Sequence, residues 1–213
     1  MGARNLVLLC LASSLACASP EQTRRSDPAP EVALATGERG AWRALVVERR
    51  EASAPGREME RLEPLAGSWR VSVEVPEGAE GARAIAAGRA RLEARFGGRF
   101  LDWEVQLDVA GEAVRSTGLL GFDRELGQYE LHWVSELQSS QRIARGHGDP
   151  ERGGIRLEAS VPDPASGALR HHRSVLTLRD ADRFDLEQWG LDPTTSEWVL
   201  ERRTTYRRAA AVP

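Results

Sequence analysis

The chain has 213 residues, enough for one ordinary domain with extensions, and its 41% hydrophobic and 29% charged content excludes a wholly disordered chain and a polytopic membrane protein. A formal charge of -3 provides no general attraction to nucleic acid, so no nucleic-acid partner is expected. All 29 cationic side chains are arginine, which excludes lysine Schiff-base chemistry and a P-loop, because both need an amine at a defined position.

Residues 1–17 carry one arginine, Arg4, then an apolar stretch from Leu6 to Leu15, then small residues. That is the layout of a secretory signal peptide, and the stretch falls short of the ~20 residues a membrane span needs. Ser14-Leu15-Ala16-Cys17 resembles a bacterial lipobox, in which Cys17 is lipidated and becomes the mature N-terminus. The alternative is plain cleavage after Ala18. Export to the periplasm or outer membrane, with a lipid anchor as the membrane contact, is the expectation. Cys10 and Cys17 are the two cysteines, so a chain starting at Cys17 has no intramolecular disulfide and holds together by burial.

Residues 18–57 are rich in Pro, Ala, Arg and Glu and read as a flexible tether. Within it Trp42, Leu45, Val46 and Arg49 fall at i, i+3, i+4 and i+7, the spacing of a short amphipathic helix. The domain spans 58–208, followed by a tail at 209–213. Met59, Leu62 and Leu65 suggest one or two helical turns, stopped near Pro64. From Gly67 the pattern has period two. Trp69, Val71, Val73 and Val75 share one face of a strand, as do Leu101, Trp103, Val105, Leu107 and Val109 of another. Further strands are predicted over 88–96, 114–122, 128–136, 138–145, 154–161, 169–179, 183–189 and 198–207, about ten in all, separated by Gly, Pro and Asp turns. Gly146-His147-Gly148-Asp149 reads as a mobile turn.

No long helical pattern separates the strands, which excludes parallel βαβ units. About ten antiparallel strands must protect their edges, and closure into an all-β, antiparallel up-and-down barrel does so; a two-sheet sandwich is the alternative. The dense mixed charge of the polar face and the missing aromatic girdles exclude an outer-membrane barrel.

Leu65-Ala66-Gly67-Ser68-Trp69, Gly97-Gly98-Arg99-Phe100-Leu101, Gly118-Leu119-Leu120-Gly121-Phe122-Asp123, His132-Trp133-Val134-Ser135 and Thr205-Tyr206-Arg207-Arg208 stand in an order and spacing that resemble the bacterial family called domain of unknown function 1579, across about residues 62–208. Gly67-x-Trp69 after a short helical turn is also similar to the first strand of lipocalin-like proteins. The resemblance implies a calycin-type barrel with an internal cavity.

The candidate binding residues are Arg202, Tyr206, His172, Trp103, Trp133 and Tyr129. Trp198, Leu200, Arg202, Thr204 and Tyr206 share a phase on the last strand; if it points inward, a guanidinium and a phenol sit in a low-dielectric space where a ligand carboxylate offsets their burial. The competing arrangement pairs Arg202 with an acid such as Glu187. His171 and His172 face opposite sides of a strand and cannot share a metal, and His172 follows the phase of Leu176 and Leu178. Trp103 and Trp133, with Tyr129, line a pocket or fill a core. No metal site, cofactor or catalytic constellation is predicted. The expected function is a small apolar or amphipathic ligand bound in the barrel; the alternatives are a filled scaffold module, a haem-binding barrel, or an enzyme using His172 as acid or base.

Overall fold

The computed structural model describes residues 36–78, 81–149, 153–163 and 167–210. The predicted signal segment, Cys17 and most of the first half of the predicted tether lie outside the described residues. The barrel and its contacts belong to one compact unit beginning at Arg43.

A helix, α1 (Thr36–Ala52), occupies the second half of the tether. The predicted stripe therefore forms a helix, longer than its spacing suggests, with Leu45 and Val46 exposed. After it come α2 (Arg57–Glu60) and a 3-10 turn, η1 (Glu63–Leu65), which carry the buried side chains Met59, Leu62 and Leu65. Pro64 suits the start of η1, where its missing N–H costs nothing. Gly67, at φ +136°, takes a backbone conformation that L side chains rarely adopt and turns the chain from η1 into the wall.

Ten antiparallel strands follow: β1 (Gly67–Glu77), β2 (Gly81–Arg95), β3 (Phe100–Val109), β4 (Glu112–Asp123), β5 (Gln128–Ser135), β6 (Arg142–Asp149), β7 (Gly154–Pro162), β8 (Leu169–Asp180), β9 (Arg183–Leu191) and β10 (Trp198–Arg208). Each pairs with its sequence neighbour, and β1 pairs with β10 to close the barrel. The structure is the expected up-and-down barrel, not a sandwich. The alternation sets the inside, because Trp69, Val71 and Val73 are buried while their neighbours are not.

The second strand begins at Gly81 rather than at Gly88 and ends before Phe96, which is exposed at a positive φ, and two further features of the strands differ from expectation. The sixth strand starts at Arg142, not Gln138, and runs through Gly146, His147, Gly148 and Asp149, which the sequence alone suggests to be a turn. The reason is a close approach: a Cβ on Gly146 would lie 1.8 Å from the Arg156 carbonyl oxygen, so glycine lets β6 and β7 cross tightly. On β10 the register shifts between Leu200 and Arg202, a bulge with Glu201 as the extra residue.

The helical plug covers one end of the barrel. Trp69 Nε1 donates to the Leu65 carbonyl at 2.9 Å. Arg208, from the last strand, donates to the Ala66 and Pro64 carbonyls at 3.1 and 2.8 Å and lies 4.3 Å over the Trp69 ring. The middle is filled by aromatic rings: Phe184 stacks on Tyr206 at 4.1 Å, Trp69 meets Phe184 edge-on at 4.8 Å, and Trp103 meets Tyr206 at 5.5 Å. Such pairs are worth about 0.5–1.5 kcal/mol each beyond their buried area.

Candidate functional site

The interior has two ends separated by this aromatic layer. At the plug end, a cleft of about 790 Å³ lies between Leu62 and Leu65 of the plug and Tyr129, Ile155 and Leu176 of the wall. At the other end the inward faces of β6, β8, β9 and β10 carry polar groups.

Five of the six candidate residues lie on the inner side together. Tyr206 and Trp103 are buried in the aromatic layer, and Trp133 meets Trp103 edge-on at 5.6 Å. Burial raises the Tyr206 phenol well above its ordinary value, so it stays protonated. The indole N–H of Trp103, on the Tyr206 side, falls short of a standard hydrogen bond and is left without a partner. His172 pairs across the sheet with Ala159 and Gly190, on the side of Ser174 and Leu176. Tyr129 stands apart, at the plug end, where its hydroxyl donates to the Glu58 carbonyl at 2.9 Å and lines the other cleft.

The expected phase of β10 needs one correction. Tyr206, Thr204 and Arg202 pair with Phe184, Leu186 and Gln188 and face inward, but the bulge turns Leu200 and Trp198 to the outer wall. There the Arg173 guanidinium lies 3.9 Å over the Trp198 ring while also bonding Glu158 at 2.9 Å. Glu201, the bulged residue, joins Arg202 on the inner side, where its carboxylate covers Gly190 and stands 3.5 Å from His172 Nδ1.

Arg202 does not pair with Glu187, which is held instead by Arg203 at 2.8 Å. Its Nε donates to the Gln188 amide oxygen. The side chain is walled by protein yet exposed, as expected for a group in a water-reachable barrel mouth. Partial desolvation, and then the nearby Arg142 guanidinium, pull its pKa below the ordinary arginine value. Arg142 pairs with Trp133 and so shares the inner side. Desolvation likewise lowers His172, an effect opposed by Glu201 and reinforced by Arg142 and Arg170. Sequence reasoning missed Arg142, Gln188 and Glu201. The phase of Ala144 points to Arg142, but only closure brings β6 and β10 to one mouth.

A third feature, with no signature in the sequence, lies on the outer wall: a groove of about 540 Å³ over β3, β4 and β5. Arg145 Nε donates to Glu130 at 2.6 Å, His132 Nε2 bonds the other Glu130 oxygen, and the Gln141 amide reaches His132 Nδ1 at 2.6 Å. Hydrogen bonds from Arg145 and then His132 hold the Glu130 carboxyl below its usual range. With both Glu130 oxygens engaged, and with no nucleophile joined to it by a hydrogen bond among the described residues, this network braces the sheet. Among the described residues no cluster of three or more His, Cys, Asp or Glu is placed to hold a metal.

A family model described as a protein of unknown function (DUF1579) matches residues 54–208. The chain belongs to the DUF1579 family. Its barrel is similar to the crystal structure of Rv2717c from M. tuberculosis, at 16% identity and a TM-score of 0.49, covering 73% of this chain and 99% of that one. No curated protein matches the sequence. In this DUF1579 barrel the inner mouth is the place where charged groups, solvent access and aromatic surface coincide, and it is the candidate site.

Proposed function

We propose that this DUF1579 protein is exported, anchored to the cell envelope through lipidated Cys17, and binds a small apolar or amphipathic molecule inside its barrel. The observation that carries the binding reading is Arg202: an inward, solvent-reached guanidinium bonded to a neutral amide, on the strand whose Tyr206 joins Trp103 and Trp133 in the aromatic layer. Binding sites of this kind combine apolar lining with a few directed polar groups. The export reading is supported by the charged, apolar and small-residue order of residues 1–17.

Native mass spectrometry of the purified chain tests the binding reading, with a co-purifying lipid or fatty acid as the expected result. The anchor is tested by Cys17→Ser, which moves the protein from the membrane to the soluble fraction; unchanged fractionation rejects it. The filled middle of the barrel favours a second reading, a scaffold module without a ligand. An empty spectrum, and no tryptophan fluorescence change with added amphiphiles, would support that reading over the first.

A further inference from the structure

The two loops that flank the end of α1 carry exposed apolar tips. Phe96, between β2 and β3, is 73% exposed and meets the partly exposed Phe100 edge-on at 6.0 Å, and Leu126, between β4 and β5, is 64% exposed. Both loops open at the plug end, because Gly67 pairs with Leu92 and Phe100 with Gly121. Phe96 also stands at φ +52°, a left-handed backbone in which a bulky side chain is strained. Its ring thus serves neither the turn nor the core, and a large apolar group kept in water against such strain marks a contact surface.

Two arginines bind these tips to the helix. Arg99 donates from Nη1 to the Phe96 carbonyl at 2.8 Å, from Nε to Ser53 Oγ at 3.0 Å and from Nη2 to the Arg50 carbonyl. Arg124 Nη1 donates to the Ala52 and Ala54 carbonyls at 2.9 and 3.3 Å. The last turn of α1 is therefore capped by the loops themselves, and it lies within the span of one guanidinium from the Phe96 tip. One turn earlier on α1 stand the exposed Leu45 and Val46, with Arg49 following both at helical spacing. Arg43, Arg49, Arg50, Arg99 and Arg124 have no ion pair among the described residues, and the acids on the same segments are Glu48, Glu51 and Glu125.

We propose that α1 and the Phe96 and Leu126 tips form a docking face that seats the plug end of the barrel on an anionic lipid surface. Apolar side chains enter the boundary between headgroups and acyl chains, while arginines keep their charged ends among the phosphates. A bilayer is favoured over another protein by where the chain leads. Cys17, the predicted lipid anchor, is separated from Thr36 by residues 18–35, which span at most about 65 Å, so α1 is the first described element on the anchored side. The inference rests on the proposed envelope location and adds the orientation of the barrel there.

The test uses residues 18–213, which keep every described residue and the whole compact unit but lack Cys17 and the apolar leader, so neither contributes. Flotation with vesicles of phosphatidylcholine alone, and of phosphatidylcholine mixed with phosphatidylglycerol, reads the binding. The anionic vesicles are expected to bind at least about tenfold tighter, and added salt to weaken them. Phe96→Asn and Leu126→Ser should each weaken binding to the anionic vesicles about tenfold, the scale of one apolar side chain returned to water. Asparagine tolerates the left-handed conformation, so Phe96→Asn should melt at or above the native Tm while releasing the vesicles. A merely structural Phe96 would show the reverse. Equal binding to both vesicles, no binding to either, or unchanged binding in both variants overturns the inference. So does a dimer in sedimentation that Phe96→Asn dissociates without any vesicle binding, which assigns the face to a second copy of the chain. The anchor is read separately by the Cys17→Ser fractionation, so either reading can fail while the other stands. If a variant fails to fold, the lipid series and the salt dependence of the native sequence decide between these outcomes.

Discussion

Replacing Asp185 by alanine tests how the outer wall is held near the closure of the barrel. Asp185 is 2% exposed because arginine side chains lie over it on the outside of β9. It accepts from Arg179 Nε at 2.9 Å, from Arg183 Nε and Nη2 at 3.1 Å each, and from Thr205 Oγ1 at 3.1 Å. Losing one partner of a buried ion pair costs about 3–5 kcal/mol when the other is left dry. Here the guanidinium groups are 46% and 36% exposed and regain water, so each contributes about 1 kcal/mol. The buried Thr205 hydroxyl, left without its acceptor, adds a similar amount. Asp185→Ala should therefore lose about 3 kcal/mol, a fall in Tm of about 6–12 °C for a chain of this size. The loss should depend on pH. Burial alone would raise the Asp185 pKa, but hydrogen bonds from Arg179, Arg183 and Thr205 and the charge of Arg183 outweigh it and set the value below normal. A carboxylate lowered on folding stabilises fully above its unfolded pKa of about 3.9, and the contribution disappears as pH falls through the folded value. Thermal unfolding followed by circular dichroism from pH 7 to pH 2.5 reads both effects. A variant within 2 °C of the native Tm at pH 7 (about 1 kcal/mol), or a difference that persists undiminished at the acid end, would refute the reasoning.

Other outcomes follow from the same structure. His172 is lowered by desolvation despite Glu201, so the unfolded state binds more protons below about pH 6.5. Stability should fall as pH drops through that value, and His172→Gln should flatten this part of the profile in denaturant titrations. Tyr129→Phe removes the bond to the Glu58 carbonyl and should loosen the plug by about 1 kcal/mol, seen as faster amide exchange in α2 and η1 than in the strands. Gly146→Ala sets a Cβ against the Arg156 carbonyl and should destabilise by about 2–3 kcal/mol, whereas Gly148→Ala, whose nearest neighbour is 3.8 Å away, should melt close to the native chain.

Much of the barrel is legible in the sequence. Period-two alternation along Trp69–Val75 and Leu101–Val109 places a Trp, Val or Leu at every second residue, and the structure turns that face inward because a pleated strand permits no other division. Trp103, Tyr206 and His172 fall on the inside on this basis. Tyr129 is also inside as expected, but its distance along the barrel from the mouth depends on strand order and shear, which local sequence does not encode. His147 and its flanking glycines resemble a turn in sequence, because glycine serves equally in a loop and where two strands approach closely.

By itself the amino-acid order determined the all-β class, the number of strands and most of the inward faces, because these follow from the polarity of neighbours a few residues apart. The tertiary structure decided the rest. One extra residue at Glu201 reversed the faces of Leu200 and Trp198, since a bulge shifts the two-residue period by one. Closure then brought Arg142 and Arg202, sixty residues apart, to a single mouth, because the meeting of distant strands depends on how the whole sheet curls shut.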